Sequence, residues 1–277
     1  MPFGSKCVLV TNGNLPSMLA LADWLRAHGH QLEKVYVTYR LPSSKSNVSG
    51  ALSILKTSGL SYLWFKLLLN KVMPWLLRLR GLPYSVESYI QRLGLDVPVA
   101  LVDSVKSAAF LDELKSLEAN CLVSFSATQR FPEAMIRLFP AGAVNTHYGA
   151  LPQFAGLSPY FWHLQQGEAE FGVTLHRIEE ALDAGGIIRQ VKDSVAPSND
   201  CLDLLLRMAN HVSPLLNQLF SGELSQDKLS IQDLSKRTYF GHPSRADMRL
   251  FKKNGHRMTS LSALARLVDT VQSKCPS

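Results

Sequence analysis

The chain has 277 residues, of which 46% are hydrophobic and 18% are charged. This composition excludes a disordered chain and a disulfide-stabilised mini-domain, because there is enough apolar surface to bury a large core. The 29 Lys and Arg residues exceed the 22 Asp and Glu residues, which gives a net charge of +7. The excess favours an anionic partner: a phosphorylated or carboxylated ligand, a nucleic acid or a membrane surface.

The cysteines and the N-terminus indicate the compartment. The four cysteines are far apart in sequence and have no metal-binding spacing, as is typical of thiols in a reducing compartment. The eight histidines contain no HExxH or HxxxH pattern, so we expect no metal site. The first residues lack the apolar run and cleavage site of a signal peptide, and we therefore expect a cytoplasmic protein.

The first forty residues predict a strand, a helix and a second strand. Residues 7–10 and 35–38 are short apolar runs typical of buried strands, and residues 18–27 have helical spacing that ends at Gly29. Two strands joined by a helix with short connections predict neighbouring parallel strands with a right-handed crossover.

Residues 40–82 are predicted to be an insertion. Residues 40–59 are rich in serine and predict a loop, whereas Lys66, Asn70, Pro74 and Arg78 recur every fourth residue and predict an amphipathic helix kinked at Pro74. The uncharged runs are too short for a membrane span, which needs roughly 20 apolar residues. The helix is therefore interpreted as a packed insertion, with a membrane-surface or dimer contact left as alternatives.

The remaining elements continue the alternating pattern. We predict strands at residues 98–102, 121–125, 142–147, 172–178 and 185–190, and helices at 86–93, 108–119, 132–138, 159–166, 202–220 and 261–271. Ser158 is expected to cap the helix that begins at Pro159, and Pro214 to kink the helix that contains it. The fold class is thus an open, mostly parallel twisted α/β sheet flanked by helices. Residues 1–190 would form the catalytic domain, and 191–277 a mainly helical extension.

Three polar residues could form a catalytic group. Asn145 and His147 lie at the end of a predicted strand, where open α/β sheets bind ligands, and their spacing places both on one face. Asp183 precedes two glycines whose backbone can approach a ligand closely. An amide and a protonated imidazole can stabilise an oxyanion, while a carboxylate orients the imidazole, a set suited to acyl transfer onto an amine.

The block from residue 145 to residue 190 resembles the folate-dependent formyltransferase family. The pieces are Asn145-Thr146-His147, residues 151–156 (LPQFAG), residues 172–176 (GVTLH) and Asp183-Ala184-Gly185, in the order of the family pattern. The resemblance is strong over residues 120–190 and looser over the opening strand and helix. The family includes glycinamide ribonucleotide, methionyl-tRNA and sugar-nucleotide N-formyltransferases.

This resemblance implies a function and a site. Asn145, His147 and Asp183 would be catalytic, and N10-formyltetrahydrofolate would donate the formyl group to the amine of a small metabolite, either an amino sugar nucleotide or an amino acid-like intermediate. The residues implied to contact the folate are Phe125, Ser126, Ala127, Thr128, Gln129 and Gly185. The residues implied to contact the acceptor are Tyr148, Gln153, Phe154 and His176, although His176 on its alternating strand is more simply a structural hydrogen-bonding residue. His163 is expected on a helix surface.

The chain departs from the family pattern at two places. Tyr148-Gly149 stands where many members have a serine in the second position, and Gly186 replaces a second acidic residue found in the tRNA and sugar branches. A methionyl-tRNA formyltransferase is the first alternative, supported by the basic segment 236–257. A non-catalytic or hydrolytic homologue is the second. We expect tRNA not to be a partner, and a homodimer is left open.

Overall fold

The computed structural model describes residues 3–38, 47–195 and 200–275 and contains a seven-stranded sheet. The strands are β1 (Cys7–Thr11), β2 (Leu32–Thr38), β3 (Val99–Val102), β4 (Cys121–Phe125), β5 (Gly142–His147), β6 (Ala155–Gly156), β7 (Glu170–Arg177), β8 (Ile187–Ser194) and β9 (Tyr239–Phe240). The strand order in the large sheet is β3-β2-β1-β4-β5-β7-β8. The first five strands in this order are parallel, and β7 and β8 continue the sheet antiparallel.

Helices cover both faces of the sheet. They are α1 (Leu15–His28), α2 (Asn47–Ser58), α3 (Leu60–Leu67), α4 (Met73–Leu79), α5 (Val86–Arg92), α6 (Ala108–Ser116), α7 (Glu133–Ile136), α8 (Pro159–Gln166), α9 (Cys201–Phe220), α10 (Arg245–Lys253) and α11 (Leu261–Lys274). The structure confirms the predicted α/β class with an open, mostly parallel sheet and a C-terminal helical region.

Strand β1 explains why the sheet is buried on both sides. Cys7 and Leu9 belong to the larger core, which includes α1 and α9, whereas Val8 and Val10 belong to a smaller core against α6. Both faces of the strand are therefore apolar, and its sequence reads as a continuous hydrophobic run, as in other parallel sheets.

The predicted loop at residues 40–59 was largely wrong. Residues 47–58 form α2, and residues 40–46 lie outside the described residues. The serines concealed an apolar periodicity, since Ile54 packs against the main core while Leu52 stays exposed. Serine is only mildly unfavourable within a helix, so packing of the apolar side decides the outcome.

The predicted helix after residue 60 is present, and its irregularity lies just before Pro74. A π-helical turn, Leu68–Val72, joins α3 to α4, and Pro74 occupies the first turn of α4. A wider turn relieves the hydrogen bonding that a proline inside a continuous helix disrupts. Across residues 3–38, 47–195 and 200–275, no helix is long and apolar enough to cross a membrane.

The C-terminal region packs directly on the N-terminal half. The Ser213 hydroxyl of α9 donates to the Ala20 carbonyl at 2.7 Å and accepts from the Trp24 backbone N–H at 3.1 Å, both in α1. The division at residue 190 stays a prediction, and that residue lies inside β8. Helix α10, which periodicity did not reveal, follows a capping box at Ser244 and Asp247.

Candidate functional site

The candidate site lies at the carboxyl end of β5. Asn145 and His147 are on this strand, and the antiparallel strand β7 places His176 opposite Asn145 and Thr174 opposite His147. Asp183, in the loop between β7 and β8, brings its carboxylate to 3.7 Å from His147 and 3.9 Å from His176. Strand β5 and the loop between β7 and β8 therefore bring together the three residues predicted to be catalytic.

His176 fixes the orientation of the Asn145 amide. Its Nδ1 lies 2.8 Å from the Arg177 carbonyl oxygen, which can only accept, so Nδ1 carries the proton. The Nε2 atom is then an acceptor, and it receives a hydrogen bond from Asn145 Nδ2 at 3.1 Å. Burial lowers the pKa of His176 to about 4, so this arrangement holds at neutral pH. The contact supports the structural interpretation of His176, and it leaves the second amide hydrogen of Asn145 for a ligand.

His147 lies between a carbonyl and a carboxylate. Its Nε2 atom donates to the Phe154 backbone carbonyl at 2.8 Å, and its Nδ1 atom faces Asp183 Oδ1 at 3.7 Å. When the imidazole is doubly protonated, each N–H has an oxygen in front of it. This geometry can hold a positive charge next to a developing oxyanion.

Asp183 is held by contacts from distant parts of the chain. Its backbone has a left-handed φ of 51°, which Asp tolerates better than most residues, and its Oδ2 accepts from the Gly156 N–H at 3.1 Å. Burial alone would raise the pKa of this carboxyl, but the imidazoles of His147 and His176, the Gly156 N–H and the Arg237 guanidinium lower it overall. Because the carboxylate accepts a hydrogen bond from a residue 27 positions away, a local Asx turn does not account for this side chain.

The glycine at position 149 is required by the closeness of His147. A Cβ atom here would lie 2.6 Å from the Phe154 carbonyl oxygen and 2.8 Å from His147 Nε2. Both distances are shorter than real Cβ contacts, and the two atoms are the partners of the hydrogen bond that orients His147. The departure Tyr148-Gly149 therefore follows from the packing of this site, which has no room for a serine.

A narrow crevice adjoins Asn145 and Asp183. It has a volume of about 80 Å³, and its walls are the segment after β4 and the segment after β7, joined by a hydrogen bond from Arg130 to the Glu180 carbonyl at 2.9 Å. Ligand pockets are commonly 300–1,000 Å³. The crevice is smaller than a typical ligand pocket, so a ligand of ordinary size would enter only if its two walls separated.

The six residues predicted to contact folate occupy different positions relative to this crevice. Ala127 and Gln129 line it, whereas Phe125 is buried against Tyr148 with ring centroids 5.1 Å apart. The Thr128 N–H and hydroxyl bond to Thr38. Ser126 and Gly185 lie beside the two walls, and a Cβ on Gly185 would come 2.0 Å from the Arg177 carbonyl oxygen. Sequence reasoning did not anticipate Ser124, Arg130 and residues 178–182 in the lining.

The residues predicted to contact the acceptor are partly buried. Tyr148 is buried, and burial raises the pKa of its hydroxyl well above the usual range. Gln153 is exposed, while Phe154 stacks on His163 with ring centroids 3.8 Å apart. The expectation that His163 lies on a helix surface was wrong, since the side chain is buried and its Nδ1 donates to the Pro159 carbonyl. The aromatic stack with Phe154 is what pulls it into the core.

Ser158 does not cap helix α8 as predicted. The residue has a left-handed φ of 56° and makes no capping hydrogen bond. Its hydroxyl instead pairs with the Tyr62 hydroxyl of α3 at 2.7 Å. A tertiary partner on the insertion has replaced the local cap, which no periodicity in the sequence could reveal.

The basic tail forms one side of the site. Strand β9 pairs with β6, and Thr238 accepts the Phe154 N–H at 3.0 Å. Arg237 donates to the Leu182 carbonyl, and Gln232 donates to the carbonyls of Asp183 and Gly185. These tail residues hold the loop that carries Asp183, and their spacing in the sequence gives no signal of that role.

A protein family and several solved structures match this chain. Residues 98–218 match the family described as "Formyl transferase". The fold is similar to the N-formyltransferase from Helicobacter canadensis in complex with folinic acid and dTDP-3-aminofucose (16% identity, 86% of this chain, 71% of that chain, TM-score 0.53).

Two further solved structures have the same fold. One is a sugar N-formyltransferase from a Shewanella species (17% identity, 96% of this chain, 87% of that chain, TM-score 0.53). The other is glycinamide ribonucleotide transformylase 1 from Symbiobacterium toebii (17% identity, 84% of this chain, 96% of that chain, TM-score 0.54). The family match and the shared fold confirm the resemblance: residues 98–218 match the formyl transferase family, and the chain has the fold of these formyltransferases.

Proposed function

We propose that this protein transfers a formyl group from N10-formyltetrahydrofolate to the amine of a small metabolite. The observation that carries the proposal is the convergence of Asn145, His147 and Asp183 beside the crevice at the end of β5. An amino sugar nucleotide is the acceptor class with most support, because the Helicobacter canadensis enzyme was solved with dTDP-3-aminofucose. An amino acid-like intermediate is the other class that we propose.

Each of the three residues has a distinct part in the proposed reaction. The free N–H of Asn145 donates to the formyl oxygen as negative charge develops there, and protonated His147 adds a second stabilising charge. Asp183 keeps the imidazole oriented and balances its charge. When bound, the folate supplies the formyl group; the amine nitrogen gains the new C–N bond, the bond to N10 breaks, and the amine proton replaces the lost group on N10.

The test has two separate measurements. First, a reduced folate at 100 times its Kd should raise the free energy of unfolding by about 2.7 kcal/mol, seen as a thermal shift. Second, the protein incubated with N10-formyltetrahydrofolate and pooled amine metabolites should yield products heavier by a formyl group in place of hydrogen, detected by mass spectrometry. Folate binding without any product, tRNA included among the acceptors, would favour a non-catalytic homologue.

A tRNA acceptor is the runner-up and has its own signature. Tight tRNA binding that falls by orders of magnitude between low and moderate salt would support it. Arg237, in the basic segment on which that alternative rests, is engaged in holding the Asp183 loop through the Leu182 carbonyl. Formyl transfer to methionyl-tRNA in preference to every small amine would overturn the proposed acceptor class and retain the proposed donor.

A further inference from the structure

Helices α3 and α4 carry an apolar surface that no other described part of the chain covers. Their inner side is buried in the core through Tyr62, Phe65 and Leu77. Six large apolar side chains face outward, and together they are called the Trp face here. They are Leu60, Trp64, Leu67, Trp75, Leu76 and Leu79. A helix that exposes a group of large apolar side chains besides its buried side is typical of a site that contacts a protein or a membrane.

The distribution of tryptophan singles out this surface. Of the four tryptophans, Trp24 and Trp162 are buried, whereas Trp64 is 53% exposed and Trp75 is 60% exposed. The two exposed indoles lie on consecutive helices, Trp64 in α3 and Trp75 in α4, on either side of the π-helical turn. Tryptophan is enriched where a protein meets the boundary between lipid and water, because its ring is apolar and its N–H is polar.

The segment that contains α3 and α4 carries only basic charges. Between Glu33 and Glu87 the sequence contains eight of the 29 Lys and Arg residues and none of the 22 Asp and Glu residues. The rest of the chain, with 21 basic and 22 acidic side chains, is close to neutral. Lys71 in the π-helical turn, Arg78 in α4 and Arg80 just after α4 are all exposed. The net positive charge of the protein thus comes from the segment that contains this surface.

A cavity of about 450 Å³ opens at one end of the Trp face. Trp64 and Phe65 of α3 form one wall, and Phe251 and Met258 form another. Its remaining lining includes Lys252 and Arg257, both exposed. An apolar floor with cationic groups at the rim suits an amphiphile that carries a phosphate.

From these observations we infer that the Trp face docks on the surface of an anionic phospholipid bilayer. The indoles and leucines enter the boundary between headgroups and acyl chains, and the basic side chains contact the phosphates. A second copy of the chain is a poorer occupant, because an isologous contact would oppose two equally cationic segments. RNA is a poorer occupant as well, since four of the six side chains are leucines, which offer nothing to stack on bases.

Docking would place the catalytic half of the molecule next to the bilayer. On the inner side of α3, the Tyr62 hydroxyl hydrogen-bonds to the Ser158 hydroxyl just before α8. The same hydroxyl lies 2.9 Å from His242 Nδ1, in the segment after β9. Lys66 donates to the Tyr160 hydroxyl at 3.2 Å. The inference goes beyond the proposed formyl transfer and does not depend on it.

The test measures binding of the full chain to vesicles. The protein is floated at low salt with two kinds of vesicle: pure phosphatidylcholine, and phosphatidylcholine with about 30 mol% phosphatidylglycerol. The second kind has a negative surface potential of tens of millivolts. We expect binding to the anionic vesicles only, with a blue shift of tryptophan emission that Trp64→Phe/Trp75→Phe removes. Lys71→Glu/Arg78→Glu should weaken binding at least about tenfold, since each basic residue near such a surface contributes about 1 kcal/mol.

Matched variants on other surfaces serve as controls. Lys106→Glu/Lys115→Glu changes the same charge on the exposed side of the α6 region, and Ile231→Ser/Leu261→Ser removes exposed apolar side chains elsewhere. Both should bind as the parent protein does. Equal loss of binding in the Lys106/Lys115 variant, or no binding to anionic vesicles, would overturn the inference. The inference would also fail if, without lipid, the same blue shift appeared when the protein concentration was raised or when RNA was added.

Discussion

At the residue scale, the site depends on atoms that have little freedom. The Asn145 amide is oriented by a neutral imidazole, and His147 is oriented by a carbonyl and a carboxylate. These partners fix the direction in which each side chain points before any ligand binds. Such fixed orientation distinguishes a preorganised site from a group of mobile side chains.

Removing each of the three polar side chains should abolish most turnover in a folded protein. We expect His147→Ala, Asn145→Ala and Asp183→Ala to lower kcat by about 10²–10³ or more, because each removes oxyanion stabilisation or the group that orients it. The double variant of His147 and Asp183 should be far from additive, since both act as one unit. Steady-state kinetics and circular dichroism check this, and near-normal kcat in His147→Ala would contradict the proposed mechanism.

Restoring the serine found in many relatives should damage this protein. Gly149→Ser places a Cβ against His147 and the Phe154 carbonyl, so the hydrogen bond that orients the imidazole is lost and kcat falls by at least about tenfold. Gly241→Ala is the matched control, because no atom lies within 4 Å of a Cβ there. Equal activity of the two variants, measured as kcat, would mean that the close packing around His147 has no catalytic role.

At the element scale, the C-terminal tail belongs to the site although it is distant in sequence. Strand β9 adds to β6, and residues just before it hold the loop between β7 and β8. The insertion contributes in the same way, since α3 takes the Ser158 hydroxyl that the sequence assigned to a helix cap. Elements outside the recognised motifs therefore determine where the motifs lie.

Gln232 provides a test of the role of the tail. Gln232→Ala removes the amide that donates to the Asp183 and Gly185 carbonyls, so we expect kcat to fall as the carboxylate loses its position. Gln226→Ala removes a similar bond, from an amide to the Ala141 carbonyl at 2.8 Å, away from Asp183. Both changes should lower the free energy of unfolding by about 1–3 kcal/mol. A fall in kcat that is the same in both variants would point to stability alone.

At the scale of the whole molecule, two buried imidazoles make stability depend on pH. Burial lowers the pKa of both His163 and His176 to about 4, from an ordinary value of 6.5. The unfolded chain therefore binds protons at a higher pH than the folded chain does. As the pH falls from about 6.5 to about 4, each imidazole favours unfolding by up to about 3 kcal/mol.

The pH dependence should be visible in thermal unfolding. We expect Tm to fall steadily between pH 6.5 and 4.5, and His163→Phe, which keeps the aromatic stack with Phe154, should flatten that dependence. His30→Phe, at an exposed position, should leave the slope as it is in the parent protein. The pKa of His176 responds to both Asp183 and His147, whereas the pKa of His163 is lowered first by burial and to a lesser degree by His147, so the His163 variant changes fewer coupled groups. An unchanged slope in His163→Phe would show that this imidazole is protonated in the folded state.

The sequence by itself determined the class of fold and the identity of the catalytic candidates. The apolar runs at residues 7–10 and 121–125 indicate strands that are buried on both faces, and the predicted helix between the first two strands indicates a parallel sheet. The block containing Asn145, His147 and Asp183 likewise carries its pattern locally, within forty residues. Apolar runs and short motifs of this kind can be recognised in the sequence, because residues close together in the chain produce them.

Only the tertiary structure decided how these residues are held. The burial of His163, the partner of Ser158, the need for glycine at 149 and the contacts of Gln232 with the Asp183 loop all join segments far apart in the chain. The helix at residues 47–58 is a further case. Its serines are typical of a loop, but Ile54 packs against the main core and the segment is helical. Propensity and periodicity describe what a segment can do alone, whereas packing energy between distant segments is larger and selects the outcome.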